Sequence, residues 1–289
     1  MTRAAFDLYE PEKPRCGLVL SSAHSGRDYP AEFIAQSPLS ARALRSSEDA
    51  FVDLLFQDAP RLGAPLLTAR APRAYVDLNR GPTELDPALI EGVKKSGLNP
   101  RLSSGLGVIP RVVGGGRVIH PGRISREEAD QRLARHWHPW HRKLAEVIAA
   151  QRDRFGQVLL LDCHSMPHDA VSHLRICEGE PPEIVLGDRH GAACAPALMS
   201  KVEGAFRTAG FRTSRNMPFA GAHITQTWGR PQTRSHAIQI EIDRSLYMEE
   251  ATLTPRPEFD RIRARLAMAV GTVVQILRQG DTPRALAAE

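Results

Sequence analysis

The chain has 289 residues, 42% hydrophobic and 25% charged, with a formal net charge of +5. That is enough apolar material for one sizeable core, and it excludes an intrinsically disordered chain. The positive charge is mostly arginine scattered along the sequence, and aromatics are only 6%; with no basic block interleaved with aromatics, a nucleic-acid surface is not supported, whereas arginines that bind small carboxylates give the same balance.

The start, "MTRAAFDLYE", lacks the apolar core of a signal peptide, and no apolar run reaches membrane-spanning length. "CGLVLSSAH" (16–24) reads as a buried strand running into the loop "SGRDYP". Residues 46–62 are expected to form a helix, capped by Ser46 or Ser47 with Glu48 and Asp49 in its first turn. Leu44, Phe51 and Leu55 share one face of it. "APLLTAR" (64–70) and "RAYVDLN" (73–79) read as short strands.

Residues 81–125 are rich in Gly, Pro and Ser and show no period, so they form a long loop of the kind that carries function. A long helix follows over 125–155, with Ser125 as cap and Glu128 at the capping-box position. Pro139 should kink or divide it. "QVLLLDCH" (157–164), "PEIVLGD" (182–188) and "HAIQIEID" (236–243) are strands; 194–210 and 257–278 are helices, the first closed by Gly210. Strands alternate with helices, so the expected fold is α/β: a single domain with a mixed central β-sheet flanked by helices.

Three strands carry polar groups that a core strand should avoid. One runs into His24. In 158–164, the two-residue period puts Leu160, Asp162 and His164 on one side, so a carboxylate and an imidazole share a face. In "HAIQIEID", Ile238, Ile240 and Ile242 face one way, and Gln239, Glu241 and Asp243 face the other. That polar face must meet solvent at a sheet edge or a polar site. Ligands collect beyond the carboxyl ends of strands in open α/β sheets, which is where His24 and His164 fall. Two histidines and a carboxylate with one open position make a catalytic zinc set, and Glu241 is placed to act as general base.

In "YVDLNRGP", Asp77 and Asn79 interrupt an apolar strand and Arg80 closes it; Arg beside Asn can grip a carboxylate. "HWHPWH" (136–141) is metal-like in composition, with His138 and His141 three apart, but an amphipathic helix with Trp137 and Trp140 packed is the expected reading. Cys16, Cys163, Cys177 and Cys194 form no C-x-x-C pair, which fits buried thiols in a reducing compartment, the cytoplasm.

In this order, "SSAHSGRDYP", "SEDAFVDLLF", "PRAYVDLNRGPTELDP", "GVIPR", "LLLDCHSMP" and "QTRSHAIQIEID" resemble the N-formylglutamate amidohydrolase family, which looks like a branch of the zinc-carboxypeptidase and aspartoacylase group. The resemblance runs from about residue 16 to about 278. It implies a zinc-carboxypeptidase-like fold and an extension over 1–15, a catalytic domain over 16–280 and a tail over 281–289. It also implies hydrolysis of N-formyl-L-glutamate to formate and glutamate, late in histidine breakdown.

The resemblance further makes His24 and His164 ligands of one Zn2+, or of another divalent ion, and Glu241 the general base. Asn79 and Arg80 would bind a substrate carboxylate, Arg73 would polarise the scissile carbonyl, and Arg111 would bind the second carboxylate. The H-x-x-E segment of carboxypeptidase-like enzymes is missing, since Ser25, Gly26 and Arg27 follow His24. The carboxylate ligand must come from "SSED": Asp49 is favoured and Glu48 is the alternative.

A deacylase of another N-acyl amino acid or peptide-like amide keeps the same fold and metal. A non-catalytic small-molecule binding protein is the rival from another class, and it would have no need of His24, His164 and Glu241 together. The expected partner is a small dicarboxylate or N-acyl amino acid, with no nucleic acid and no membrane; oligomeric state is left open.

Overall fold

The structure is a computed structural model that describes residues 4–94, 97, 99–176 and 179–280. Cys177 and the tail over 281–289 lie outside the described residues. The strands are β1 (Phe6–Tyr9), β2 (Leu18–Ser22), β3 (Leu66–Ala69), β4 (Val112–Val113), β5 (Arg117–Val118), β6 (Val158–Met166), β7 (Ile184–Gly187), β8 (Thr213–Arg215), β9 (Ser235–Asp243), β10 (Met248–Glu249) and β11 (Thr254–Pro255). The helices are α1 (Ala31–Gln36), α2 (Ala41–Leu44), α3 (Val52–Leu55), α4 (Ala59–Leu62), α5 (Pro100–Ser103), α6 (Arg126–Arg132), α7 (His138–Phe155), α8 (Pro196–Thr208), α9 (His223–Trp228) and α10 (Phe259–Gly280).

Seven strands form one sheet in the order β1-β3-β2-β6-β9-β7-β8. The central four, β3, β2, β6 and β9, are parallel; β1 pairs antiparallel with β3, and β7 pairs antiparallel with β9 and parallel with β8. This is the expected single mixed α/β domain. Residues 6–9, expected only as part of an extension, supply an edge strand of the sheet.

Helices cover both faces, which is why the central strands are apolar on both sides. One core joins Leu159, Leu161, Cys163, Ile238, Ile240 and Ile242 to α3, α8 and α10. The other joins Val19, Leu160 and Ala237 to Trp140, Leu144 and Ile148 of α7. Each fully buried Leu or Ile contributes roughly 1.5–3 kcal/mol. Cys163 packs in the first core, pointing away from its neighbour His164, and burial pushes its thiol pKa well up.

Two expected elements are replaced. Residues 46–62 do not form one helix. A 3-10 turn covers Arg45–Ser47, Glu48 is extended, Phe51 has a φ of 67°, and α3 and α4 follow as separate short helices. The break is tied down by the Asp49 amide, which donates to the His24 carbonyl at 3.0 Å. Residues 73–79 are turns, not a strand. The Tyr75 and Val76 amides donate to the Pro72 carbonyl, and the Asn79 amide donates to the Asp77 carboxylate at 2.8 Å. A short acidic side chain that bonds the backbone two residues on competes with a sheet ladder.

The helix over 125–155 does begin on Ser125, whose hydroxyl accepts from the Glu128 amide. The chain stays helical through Pro139, but a π-turn just before it separates α6 from α7. Residues 133–137 widen into a π-turn, in which the His138 amide bonds the Leu133 carbonyl, and α7 continues beyond. The wide turn accommodates the carbonyl that Pro139 leaves without an amide. Trp140 is fully buried, as the amphipathic reading of "HWHPWH" expects. No helix among the described residues is long and apolar enough to cross a membrane.

Candidate active site

A cleft of about 750 Å3 opens at the carboxyl ends of β2, β6 and β9. Its walls are residues from 101–116, including β4 and the glycine turn after it, and 218–222. Parallel pairing sets Ser21 beside Asp162, and His164 directly beside Glu241. His24 lies two residues past β2, so three adjacent strands deliver His24, His164 and Glu241 to one place. The polar face of β9 is buried, so it meets a polar site and not solvent.

His24, Asp49 and His164 are all buried, and one ligand atom from each lies within 4.8 Å of the others. His24 Nε2 lies 2.7 Å from Asp77 Oδ1, and His164 Nε2 lies 2.9 Å from Asp162 Oδ2. A carboxylate only accepts, so each Nε2 carries the hydrogen and each Nδ1 of the neutral rings is left with a lone pair. Both Nδ1 atoms face Asp49 Oδ2, at 3.4 Å from His24 and 2.9 Å from His164. Three electron-pair donors converging in a buried place need a cation among them. His24 Nδ1 is buried and makes no hydrogen bond. The donor set therefore fits a divalent metal ion, with Asp77 and Asp162 orienting the imidazoles from behind.

Without a metal, the positive charge there is a proton. Burial pushes the His164 pKa down, but Asp162 and Asp49 outweigh burial and hold it well above 6.5. Burial likewise pushes Asp49 up, and the two histidines outweigh it and hold Asp49 well below 3.8. Asp49 is anchored through its other oxygen, Oδ1, which accepts from Arg244 Nη2 at 3.1 Å and Ser165 Oγ at 3.2 Å. Glu48 is also buried but turns away from the cleft, receiving Arg45 on both oxygens at 3.1 Å. Of the two acids of "SSED", the structure brings only Asp49 to the histidines.

Glu241 lines the cleft, and Gln239 Nε2 donates to its Oε1 at 2.7 Å. Burial raises its pKa to about 7, against the pull of His164. Arg73 lines the cleft with Nε on Asp77 Oδ2 at 3.1 Å. Arg80 lines it too, with Nε on the Leu106 carbonyl and Nη1 on the Asn79 carbonyl.

Asn79 is bonded at both ends. Its Oδ1 accepts from the Ile224 amide at 2.8 Å, and its Nδ2 donates to Asp162 Oδ2 at 3.3 Å. It lines the cleft as well, and these bonds let it orient Asp162. Arg111 is not brought to this cleft at all: it pairs with Asp86 at 2.9 Å and lines a separate hollow of about 220 Å3.

Sequence reasoning missed Arg244, Ser165 and Arg101, all of which line the cleft, and gave Asp77 no role. Arg244 and Ser165 had the signal that marked His24 and His164, a polar residue at the exit of a buried strand. Arg101 sits in the aperiodic loop and had none. Asp162 was left between orienting His164 and capping a polar face; its contacts are with His164, Asn79 and Ser21.

Buried lone pairs that fit a cation, beside a carboxyl whose pKa burial raises, are the features of a hydrolytic enzyme's site. Comparison with known proteins places the chain within that class. The profile of the N-formylglutamate amidohydrolase family matches residues 16–248, and the chain belongs to that family. N-formylglutamate deformylase of Pseudomonas aeruginosa is 33% identical over 242 residues, 83% of this chain and 85% of its own. Its namesake in Pseudomonas putida is 32% identical over 240 residues, 82% of this chain and 80% of its own. The crystal structure of N-formylglutamate amidohydrolase from Ralstonia eutropha JMP134 superposes with a TM-score of 0.88 at 36% identity, covering 96% of this chain and all (100%) of that one.

Proposed function

We propose that this chain hydrolyses N-formyl-L-glutamate to formate and L-glutamate, using one Zn2+ held by His24 Nδ1, Asp49 Oδ2 and His164 Nδ1. The observation that carries the reading is the convergence of these three buried donors beneath Glu241, in a cleft lined by four arginines. It is supported by the family to which the chain belongs. A bound zinc supplies Lewis acidity and a water acidified to near neutrality.

Glu241 takes the proton of the attacking water and returns it to the leaving amine. Burial holds its pKa at about 7, where both transfers are nearly balanced. The Gln239 amide fixes which oxygen of Glu241 is free for this work. Arg73, oriented by Asp77, places positive charge where the carbonyl oxygen becomes negative. Arg80 offers its remaining donors to a substrate carboxylate, and Asn79 holds Asp162 and so the His164 ring. A doubly negative substrate suits a cleft in which four guanidinium groups face three carboxyls, those of Asp49, Asp77 and Glu241. The buried thiols of Cys163 and Cys194, in no disulfide, are in keeping with a cytoplasmic enzyme.

The test is formate release by purified protein of known metal content. Zinc-loaded protein is expected to turn over N-formyl-L-glutamate, to lose activity with a chelator and to regain it with zinc. Glu241→Gln is expected to keep its zinc and lose turnover by about a hundredfold or more. Zinc-loaded protein that releases no formate from any N-formyl amino acid overturns the reading.

A further inference from the structure

Four guanidinium groups line the cleft, and they are not equivalent. Arg73 is paired with Asp77, and Arg244 with Asp49. Arg80 and Arg101 have no carboxylate partner among the described residues. Arg80 is 7% exposed and bonds only carbonyl oxygens, those of Leu106 and Asn79. Arg101 is exposed, and its guanidinium makes no hydrogen bond or ion pair among the described residues; only its backbone is engaged, the amide donating to Asn99 and the carbonyl accepting from the Leu106 amide.

The nearest acid is no remedy. Glu84 accepts from the Gly81 amide at 2.8 Å through one oxygen and from Asn99 Nδ2 at 3.4 Å through the other. Burial lowers the Arg80 pKa, against the pull of Asp77, and the neighbouring cations Arg73 and Arg101 lower it further. A solvated surface arginine is the usual meaning of an unpaired guanidinium. Here the group lines a cleft together with a buried arginine that likewise lacks a carboxylate partner among the described residues, and such a pair is relieved by an anion that bridges it.

We propose that Arg101, with the unbonded edge of Arg80, seats the second carboxylate of the substrate and makes the enzyme select acidic N-formyl amino acids. The inference rests on the function proposed above. It assigns to α5 and the 81–125 loop the task that the sequence reading gave to Arg111, which Asp86 neutralises elsewhere. The formamide end then reaches the histidines at the floor while the side-chain carboxylate stays towards the mouth, where the exposed Arg101 stands. Arg101 is a specificity residue and touches no reacting atom.

N-formyl-L-glutamine tests this, because it differs from N-formyl-L-glutamate only in lacking the second negative charge. The wild type is expected to prefer the glutamate derivative in kcat/KM. Arg101→Gln is expected to reduce that preference about tenfold or more, chiefly through KM, and Arg101→Lys to restore part of it. Equal losses on both substrates, or no change on either, overturn the proposal. Glutarate and butyrate serve as binding probes, by calorimetry on the same zinc-loaded proteins. If the wild type hydrolyses neither formyl substrate yet binds glutarate over butyrate, and Arg101→Gln abolishes that difference, the proposed function fails and the role of Arg101 stands. If Arg101→Gln leaves the glutarate preference intact, Arg101 does not read the second carboxylate.

Discussion

Asp49 shows how little a residue's neighbours in sequence reveal of its work. Glu48 and Asp49 are adjacent acids, both about 1% exposed, and both belong to a stretch that reads as the first turn of a helix. What separates them is distant: Asp49 meets His24, His164, Ser165 and Arg244, whereas Glu48 meets Arg45 three residues back. Arg244 neutralises the Asp49 carboxylate from the side opposite the histidines, so it fixes the direction in which Oδ2 points. Bound zinc, measured by elemental analysis after dialysis, is the readout. Asp49→Asn is expected to lose it and Glu48→Gln to keep it. Arg244→Leu is expected to fall between, with zinc affinity lower by about ten- to a hundredfold, as for other residues that orient a ligand. Zinc lost only in Glu48→Gln reverses the assignment.

The apolar strands β2, β6 and β9 were legible in the sequence because local pattern and tertiary role agree: three buried runs, each ending in polar residues. The stretches 46–62 and 73–79 were not, because side chains and backbone there bond to distant groups instead of forming a ladder or a helix. The turn at 73–79 is held from behind by α7 and the π-turn before it. Trp137 Nε1 donates to the Arg80 carbonyl at 2.9 Å, and His141 Nε2 to the Leu78 carbonyl at 2.8 Å. Burial lowers the His141 pKa to about 4, so at neutral pH the ring is uncharged and serves as a donor. Trp137 and His141 of "HWHPWH" thus fix the backbone at Leu78 and Arg80, on either side of Asn79. His141→Leu leaves the Leu78 carbonyl without that partner and is expected to destabilise the protein by roughly 1–3 kcal/mol. It is also expected to raise KM more than it lowers kcat, since Arg80 would lose its register while Glu241 is untouched. Chemical denaturation and steady-state kinetics on one preparation check both. An unchanged KM would detach α7 from the substrate site.

For the molecule as a whole, the site is a set of buried charges whose balance depends on a cation, and stability should follow pH accordingly. Asp77 has its pKa raised by burial, but His24, Arg73 and Arg80 outweigh burial and hold it well below 3.8. The unfolded chain takes up that proton near 3.8 and the folded one only at lower pH. The stability from Asp77 is therefore fully present above 3.8 and is lost as pH falls below it. Glu241 works in the opposite sense. Burial lifts its pKa from 4.5 to about 7, so the folded protein binds the proton more tightly, and that contribution is complete below 4.5 and lost as pH rises through about 7. A zinc ion would favour the ionised carboxylate and flatten this second trend, besides stabilising the fold by its own binding. Thermal melts of chelated protein are the measurement, with each variant compared with wild type across pH. The wild type is expected to lose ground to Glu241→Gln as pH rises from 4.5 to about 7, and to lose less of it when zinc is present. Its advantage over Asp77→Asn is expected to hold above 3.8 and to shrink below. If the Glu241→Gln comparison is flat across that range without zinc, Glu241 does not hold a proton near neutrality, and its double duty as acid and base fails with it.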